Sequence, residues 1–368
     1  MNAAGARTAP ATAPAAGPGG RSRHASGRAD GHPARLHSAD PRRTRTVVLV
    51  LALLALALAW ATISVGGYSM TLPDLLRTLV GQGEGGGSFV VFRLRLPRLL
   101  LGAEVGVAFA LAGALFQTVL RNPLASPDII GVSGGASLAA ASAILLGGLS
   151  GVAVSLSAFA GAVVVAVAIY LLAWRSGVSG YRFVLIGVAV AFLVNAGLGY
   201  LTSRANVNDV REALVWMVGS LGTPPWGDVA VLAAILAVLL PLVALVARSL
   251  RILQLGDDAA GGLGVPVERT RLAVLALGVA LAATATAFAG PVAFVAFVCA
   301  PVARRMLPSA GLALVPSALV GVVLVLAADF AAQHLLGVAV PVGIVTGVIG
   351  APYLLWLLAT ANREGRGA

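Results

Sequence analysis

A chain of 368 residues that is 59% hydrophobic and only 11% charged is too apolar for a soluble domain, which needs a solvated surface. The net charge of +11 does not indicate a nucleic-acid partner, because the arginines are spread over loops and an amino-terminal segment instead of forming one basic face. The single cysteine, Cys299, excludes an intrachain disulfide and a cysteine metal cluster. Composition therefore predicts an all-α polytopic membrane protein.

The amino-terminal segment, residues 1–45, is rich in Ala, Pro, Gly and Arg and has no apolar period, which predicts a disordered cytoplasmic tail. Arg42, Arg43 and Arg45 precede the first apolar run, and basic residues at the end of a span favour the cytoplasmic side. Residues 46–362 form the predicted membrane domain, and residues 363–368 a second short cytoplasmic tail. The chain is thus predicted to lie in the cytoplasmic membrane with both ends inside.

Ten apolar runs follow the tail, most of them about 18 to 24 residues long, which as helices would match a hydrocarbon core of roughly 30 Å. The predicted spans are 47–66, 97–119, 128–147, 152–174, 182–202, 228–247, 272–289, 292–303, 312–335 and 340–360. Gly290 and Pro291 separate the seventh from the eighth, because proline removes a helical hydrogen bond. A single kinked helix there would make the count nine.

The second span begins at the sequence RLPR, where two arginines, Arg95 and Arg98, flank a proline on the predicted outer side. Two interpretations are open. The arginines could bind phosphates of the membrane lipid, or they could pair with carboxylates of an acidic partner outside the membrane.

The second span ends in QTVLRNPLASP, in which Asn122 and Pro123 end the helix and turn the chain. Asp128 then suits the start of the next helix, because a carboxylate there meets free amides and the positive end of the helix dipole. The sequence predicts a tight reversal between two membrane helices.

A polar stretch from Arg248 to Arg271 lies between the sixth and seventh spans, on the predicted cytoplasmic side. Leu255 and Gly256 can end one short helix, with glycine at the left-handed position, and Asp257 can cap a second that extends from about 258 to 263. The second helix contains two glycines, each costing ~1 kcal/mol relative to alanine, so we expect it to gain order against a partner. The alternative is an ordinary solvated loop.

Two carboxylates, Glu104 and Asp329, fall within predicted spans. A charged carboxylate at the bilayer centre costs ~2.5 to 3.5 kcal/mol on insertion scales, so such residues are functional candidates. For Asp329 the sequence favours a structural hydrogen bond near a helix end over a role in transport. Glu104 is expected to face a water-filled cavity or to pair with an arginine of the outer surface.

Several ordered motifs resemble the permease subunits of ATP-driven importers for ferric siderophores, haem and cobalamin. They are RLPR at Arg95, QTVLRNPLASP at Gln117 with the following GVSGGA, W-x-x-G-S-L at Trp216, LGDDAAGGLGV at Leu255, GPVAFVAF near Gly290, Ala328-Asp329, and PVGIVTGVIGAPYLLWLL at Pro341. The resemblance implies a type II ABC importer permease fold of ten spans that works by alternating access. It also implies a permease dimer, two ATPase subunits that use ATP and Mg, an extracytoplasmic substrate-binding protein, and no cofactor on this chain.

The resemblance further assigns roles to individual residues. The residues implied to contact the ATPase are Leu255, Gly256, Asp257, Asp258, Ala259, Leu263 and Gly264, and those implied to dock the binding protein are Arg95 and Arg98. The cytoplasmic end of the pathway is implied to be closed by Ser176, Gly177 and Ser179. The residues implied to form structural motifs are Gln117, Asn122, Pro123 and Asp329. The 25 basic residues are all arginine, and without lysine the chain has no Walker A loop. The chain is therefore predicted to be a transport subunit and not an enzyme.

Three positions depart from the family pattern. Val302 replaces the histidine that often follows a proline, Gln333 replaces an arginine four residues after Asp329, and Ala339 replaces an acid before the last span. A diverged partner, or a heterodimer whose other permease supplies the charges, would fit. Two other classes of function stay open at this point, namely an ion-coupled secondary transporter that needs no ATPase, and a membrane scaffold or receptor without transport.

Overall fold

The computed structural model of this chain describes residues 41–68, 70–83, 85–128, 131–173, 180–308, 311–338 and 340–364. Regular structure within these ranges is helical throughout, without a strand, which confirms the all-α prediction. Most of the predicted tail, residues 1–40, lies outside the described residues, as do Ser176, Gly177, Ser179 and Ala339.

Helices are found at all ten predicted spans. They are α1 (Pro41–Ser64), α4 (Leu96–Val119), α5 (Val132–Leu145), α6 (Val152–Ala173), α7 (Gly180–Arg204), α9 (Trp226–Leu253), α11 (Val267–Ala289), α12 (Val295–Met306), α13 (Leu314–His334) and α14 (Val342–Glu364). In the described part of the chain, 7 helices are long and apolar enough to cross a membrane, whereas α5, α12 and the apolar part of α14 are shorter. The chain is a multi-pass membrane protein, and the number of ten spanning helices stays a prediction.

The break predicted after the seventh span is present. Helix α11 ends at Ala289, the backbone of Gly290 turns away with a φ of 69°, and α12 begins only at Val295. Two separate helices therefore replace the single kinked one that the sequence left open. Cys299 lies fully buried within α12.

Three short helices were not predicted, namely α2 (Leu72–Leu79), α3 (Gly85–Phe89) and α8 (Val207–Val218), whereas α10 (Asp257–Gly262) lies within one residue of the short helix predicted at about 258 to 263. A π-helical segment, Val90–Arg95, joins α3 to α4. A search for apolar runs of membrane length passes over such elements, because they are short and mix polar with apolar residues. Helix α1 also begins at Pro41, earlier than the predicted end of the tail at residue 45.

Helix α4 is the central element and packs against α9, α11, α12 and α13. Glycines bring its backbone close to two of these neighbours. A Cβ atom at Gly106 would lie 2.6 Å from the carbonyl oxygen of Gly321 in α13, and one at Gly113 would overlap the backbone of Ala296 in α12. Small residues at such crossings are the usual means by which membrane helices pack tightly, since no hydrophobic effect drives them together in lipid.

Candidate functional site

The polar stretch between α9 and α11 holds one short helix, α10, where two were predicted. Helix α9 continues without a break to Leu253, so the expected first helix is its last turn, and the prediction was wrong on this point. The cap was also wrong, because Gly256 and not Asp257 occupies the N-cap position. The backbone of Gly256 has φ 116° and ψ 157°, a conformation open almost only to glycine, and this residue is where the chain turns.

One side of α10 is attached to the protein and the other is open. Ala260 is completely buried, whereas Asp258 and Ala259 are exposed. Two large apolar side chains flank the helix in the open, with Leu255 69% and Leu263 64% exposed. Leucines exposed on a polar end of a membrane protein, outside the apolar spans, favour a protein contact surface.

Asp257, the first residue of α10, joins three elements by ion pairs. Its Oδ1 atom accepts a hydrogen bond from Arg121 Nη2 at 2.8 Å, and its Oδ2 atom accepts one from Arg271 Nη2 at 2.9 Å. Arg121 follows the end of α4, and Arg271 lies in the first turns of α11. We call Arg121, Asp257 and Arg271 the inner-end bridge. Neither arginine was a predicted site residue, since their meeting with Asp257 depends on the tertiary fold.

The two arginines hold the pKa of the Asp257 carboxyl below its usual range, Arg271 by hydrogen bonding and charge, and Arg121 in addition. A carboxyl whose pKa is lowered by folding stabilises the folded state above its unfolded pKa, and this stabilisation is lost as the pH falls through the folded value. The bridge is therefore intact at neutral pH and is lost only below the pH at which an ordinary aspartate takes up its proton.

Arg121 occupies an unusual backbone position. The amide of Arg121 donates to the carbonyl of Thr118 and the amide of Asn122 to that of Gln117, the pair of bonds that closes a helix in the Schellman motif. In that motif the residue at the Arg121 position is left-handed and is usually glycine, and Arg121 has a φ of 50°. A non-glycine residue held there costs about 1 to 3 kcal/mol and marks a functional candidate. The guanidinium also donates to the carbonyl of Leu253 at 2.8 Å, which ties α4 to the end of α9.

At the opposite end of the bundle Arg98 forms a buried ion pair with Asp329 of α13. Its Nε and Nη2 atoms contact both carboxylate oxygens at 2.8 to 3.2 Å, and its Nη1 atom donates to the carbonyl of Gly222. Gln333 donates to the same carboxylate at 2.5 Å. The side chain of Arg98 is only 19% exposed. Its charge is thus already used inside the protein, although its role in docking stays a prediction.

Arg95 and Arg98 both line a cavity of about 360 Å³ that we call the outer cavity. The lining residues are Thr62, Gly67, Tyr68, Val90, Leu94, Arg95, Arg98, Thr223 and Gln333. Arg95 donates to the carbonyl of Ile63 in α1 at 2.5 Å and, in the described part of the chain, no carboxylate pairs with it. The outer cavity therefore carries positive charge toward the predicted outer side.

The residues predicted as structural motifs form contacts at the inner half of α4. The side chain of Gln117, which is buried, donates to the carbonyl of Phe297 in α12 at 2.9 Å. Arg304 of α12 reaches back to the Thr118 hydroxyl at 2.8 Å. Asn122 accepts from the amide of Leu124 through its side chain and so forms the predicted turn, with Pro123 exposed beside it.

Glu104 lies in α4, where it was expected to face a water-filled cavity or to pair with an outer arginine. Its Oε2 atom is buried and accepts no hydrogen bond from any described residue, and no arginine of the described part pairs with it. The predicted arginine partner is therefore absent among the described residues, whereas the predicted water-filled cavity stays a prediction.

Comparison with known proteins shows which family the chain resembles. Residues 48–360 match the FecCD transport family. The chain is 38% identical to the ferric enterobactin transport system permease protein FepG of Escherichia coli, over 81% of this chain and 91% of that protein. It is 37% identical to the Fe(3+)-citrate import system permease protein YfmE of Bacillus subtilis, over 83% of this chain and 92% of that protein.

Two further similarities extend the match. The cobalamin import system permease protein BtuC of Halobacterium salinarum is 37% identical over 75% of this chain and 74% of that protein. A solved structure described as the inward-facing conformation of a metal-chelate type ABC transporter superposes with a TM-score of 0.75 at 26% identity, over 86% of this chain and 99% of that one. The family resemblance inferred from the motifs is thereby confirmed, and the chain belongs to the FecCD transport family.

Proposed function

We propose that this chain is the permease subunit of an ATP-binding cassette importer and that it carries a metal chelate across the cytoplasmic membrane by alternating access. The observation that supports the proposal most is α10, a short helix at the inner end with exposed leucines, Leu255 and Leu263, on either side. A separate ATPase subunit would bind this helix and move it. The movement would rock the spans, opening the path first outward and then inward.

ATP would be bound and hydrolysed only by the partner subunits. The sequence has no lysine, and the phosphate-binding loop of such ATPases needs one that reaches the β and γ phosphates. Mg would likewise be bound with the nucleotide on the partner. This chain would therefore supply the pathway and the mechanical link, and no cofactor of its own.

The substrate class follows from the relatives. FepG and YfmE are named for ferric enterobactin and ferric citrate, and BtuC for cobalamin. All three are metal chelates, and two of the three carry iron(III). We therefore favour a ferric siderophore as the substrate of this chain.

The outer cavity would receive an acidic side chain of a substrate-binding protein. Arg95 contributes positive charge to its lining, and arginine pairs well with carboxylates because its planar guanidinium offers two parallel donors. Such pairing steers a partner into register more than it adds affinity. Arg98 would hold the cavity wall in place through its bond to Asp329.

A second permease subunit would complete the pathway. Gln333 stands where the family often has an arginine, and it contacts Asp329 inside this subunit. A partner permease with a different sequence could supply the missing charge, so both an identical and a different second subunit are compatible with the proposal.

The test is reconstitution in vesicles. Purified permease is assembled with its ATPase and binding protein, and uptake of a radiolabelled ferric siderophore is measured with ATP inside, with a non-hydrolysable analogue, and without nucleotide. We expect uptake only with hydrolysable ATP. A permease that accumulates the chelate without any ATPase, under an ion gradient alone, would contradict the proposal and support a secondary transporter.

A further inference from the structure

The attachment of α10 to the rest of the molecule is slight apart from one bridge. A glycine stands at each end of α10, Gly256 with φ 116° and Gly264 with φ 79°, and a Cβ atom at either would meet nothing within 4 Å. Of the six residues of α10, only Ala260 is buried. The backbone hydrogen bonds on both sides of α10 join only residues close in sequence, so side-chain contacts are what hold the helix against the bundle.

The inner-end bridge supplies that contact. The two carboxylate oxygens of Asp257 bind different arginines, one from the end of α4 and one from α11, at 2.8 and 2.9 Å. Arg271 is in turn bound by Glu268 at 2.7 Å and is only 13% exposed, so its position is fixed from both sides. Both aspartates are exposed, Asp257 with 45% of its side chain, but only Asp257 is held by the bundle, since Asp258 has no ion pair among the described residues.

Arg121 connects the bridge to the centre of the molecule. It closes α4 in a left-handed conformation, and α4 continues through the buried core to Arg98 at the outer end. The same guanidinium binds the carbonyl of Leu253, where α9 ends. A displacement of α10 would therefore reach α4, α9 and α11 together.

We infer that the inner-end bridge is the element that transmits movement of α10 to the transmembrane helices, and that Asp257 is a positioning residue of this bridge and not a contact of the ATPase. The inference rests on the proposed function. It divides the two neighbouring aspartates: Asp258 belongs to the surface that the ATPase binds, and Asp257 belongs to the joint behind it.

The test uses the full complex in vesicles and measures two quantities, ATP hydrolysis stimulated by the binding protein and chelate uptake per ATP hydrolysed. The variants are Asp257→Asn, Arg121→Gly and the double variant. Glycine suits the left-handed position of Arg121 better than arginine does, so Arg121→Gly removes the guanidinium while it relaxes the backbone. Arg251→Gln, an exposed charge on the last turn of α9 outside the bridge, is the control.

We expect each bridge variant to keep stimulated hydrolysis within about twofold of the wild type and to lose about tenfold in uptake per ATP, with the control unchanged. The double variant should be no worse than either single one, because residues that act through one contact are not additive. Loss of stimulated hydrolysis in Asp257→Asn would overturn the inference and make Asp257 an ATPase contact. Unchanged uptake per ATP would overturn it equally.

Failure of the proposed function looks different in the same experiment. If the wild-type complex takes up the chelate without ATP, the proposed function is wrong before any variant is compared. If the wild type needs ATP and the bridge variants couple normally, only the inference is wrong. Co-purification of each variant with the ATPase is measured first, and Arg121→Gly provides the comparison should Asp257→Asn fail to assemble.

Discussion

Asp329 keeps a carboxylate on a membrane helix because Arg98 and Gln333 both bind it. The side chain of Asp329 is 1% exposed, so nearly all of its solvation comes from these partners. Burying such a pair contributes little net stability, but removing one partner leaves an uncompensated buried charge.

Loss of Arg98 alone should therefore destabilise the permease strongly. We expect Arg98→Gln to lower the free energy of unfolding by about 3 kcal/mol or more. The double variant Arg98→Gln with Asp329→Asn should be milder, because it removes both charges. Thermal unfolding of the purified protein in detergent measures both. A double variant as unstable as Arg98→Gln would show that the pair is not the cause.

Arg95 permits a separate test of docking, since its charge is not used in an ion pair within the described residues. Arg95→Gln keeps a polar side chain at this position and removes the charge. We expect the association rate of the binding protein to fall about tenfold at low salt, and the difference to shrink at high salt because counterions screen the charge. Surface plasmon resonance on immobilised permease measures it.

Arg77→Gln is the control for this experiment. Arg77 is an exposed arginine of α2 that does not line the outer cavity. If both variants bind the partner equally slowly, general surface charge and not the outer cavity directs docking.

The sequence predicted that a residue needs a hydrogen-bond partner, but it did not predict which distant residue that partner is. A carboxylate within an apolar run must be bound by something, and that argument pointed to a structural hydrogen bond for Asp329 before its partner was known. Its partner Arg98 lies 231 positions earlier, and no spacing rule connects the two. The pairing of Asp257 with Arg121 was missed for the same reason.

Among the elements, α10 exposes the side chain of Asp258 at the predicted inner end, where the preceding Leu255 is exposed as well. Asp258→Arg reverses a charge on the surface proposed to bind the ATPase. We expect stimulated ATP hydrolysis to fall about 30-fold, a loss of about 2 kcal/mol typical of a central interface residue. The permease should remain folded, because this side chain has no ion pair in the described structure.

Hydrolysis is measured with the assembled complex, and folding by size-exclusion chromatography and thermal unfolding of the permease alone. Normal stimulation by Asp258→Arg would count against α10 as the contact surface. That result would not contradict the assignment of the membrane fold.

The crossing of α4 and α13 depends on two glycines. Gly106→Ala places a Cβ atom against the backbone of Gly321, which cannot move aside as a flexible side chain would. We expect this variant to lose about 1 to 3 kcal/mol of stability through overpacking. Gly347→Ala in α14 is the matched control, since a Cβ atom there meets nothing within 4 Å. The thermal unfolding midpoints of the two variants in detergent are compared. Equal midpoints would contradict the close packing of α4 against α13 at Gly106.

Helices with long apolar stretches were predicted from the sequence more reliably than short helices. Long spans such as α4 and α11 follow from hydropathy alone, because each must satisfy its own backbone in lipid. The boundary between α9 and α10 was misplaced, since Arg248 and Arg251 look like loop residues but extend a helix that has already formed. The short outer helices α2 and α8 carry too little apolar sequence to be distinguished from loops.

For the whole molecule, sidedness is the property on which the function depends. Arg121, Leu253, Asp257 and Arg271 meet at one end of α4, and Arg98 and Asp329 meet at the other. This arrangement puts the polar stretch and the turn after α4 on the same side, as the predicted orientation requires.

The thiol of Cys299 is enclosed within α12. It is the only sulfhydryl in the chain, so the natural sequence already serves as a background for site-directed labelling. A cysteine introduced in place of Leu255 would be the sole group open to a maleimide dye. The fluorescence of the attached dye would report the approach and departure of a neighbouring subunit in real time. No native cysteine would have to be removed first.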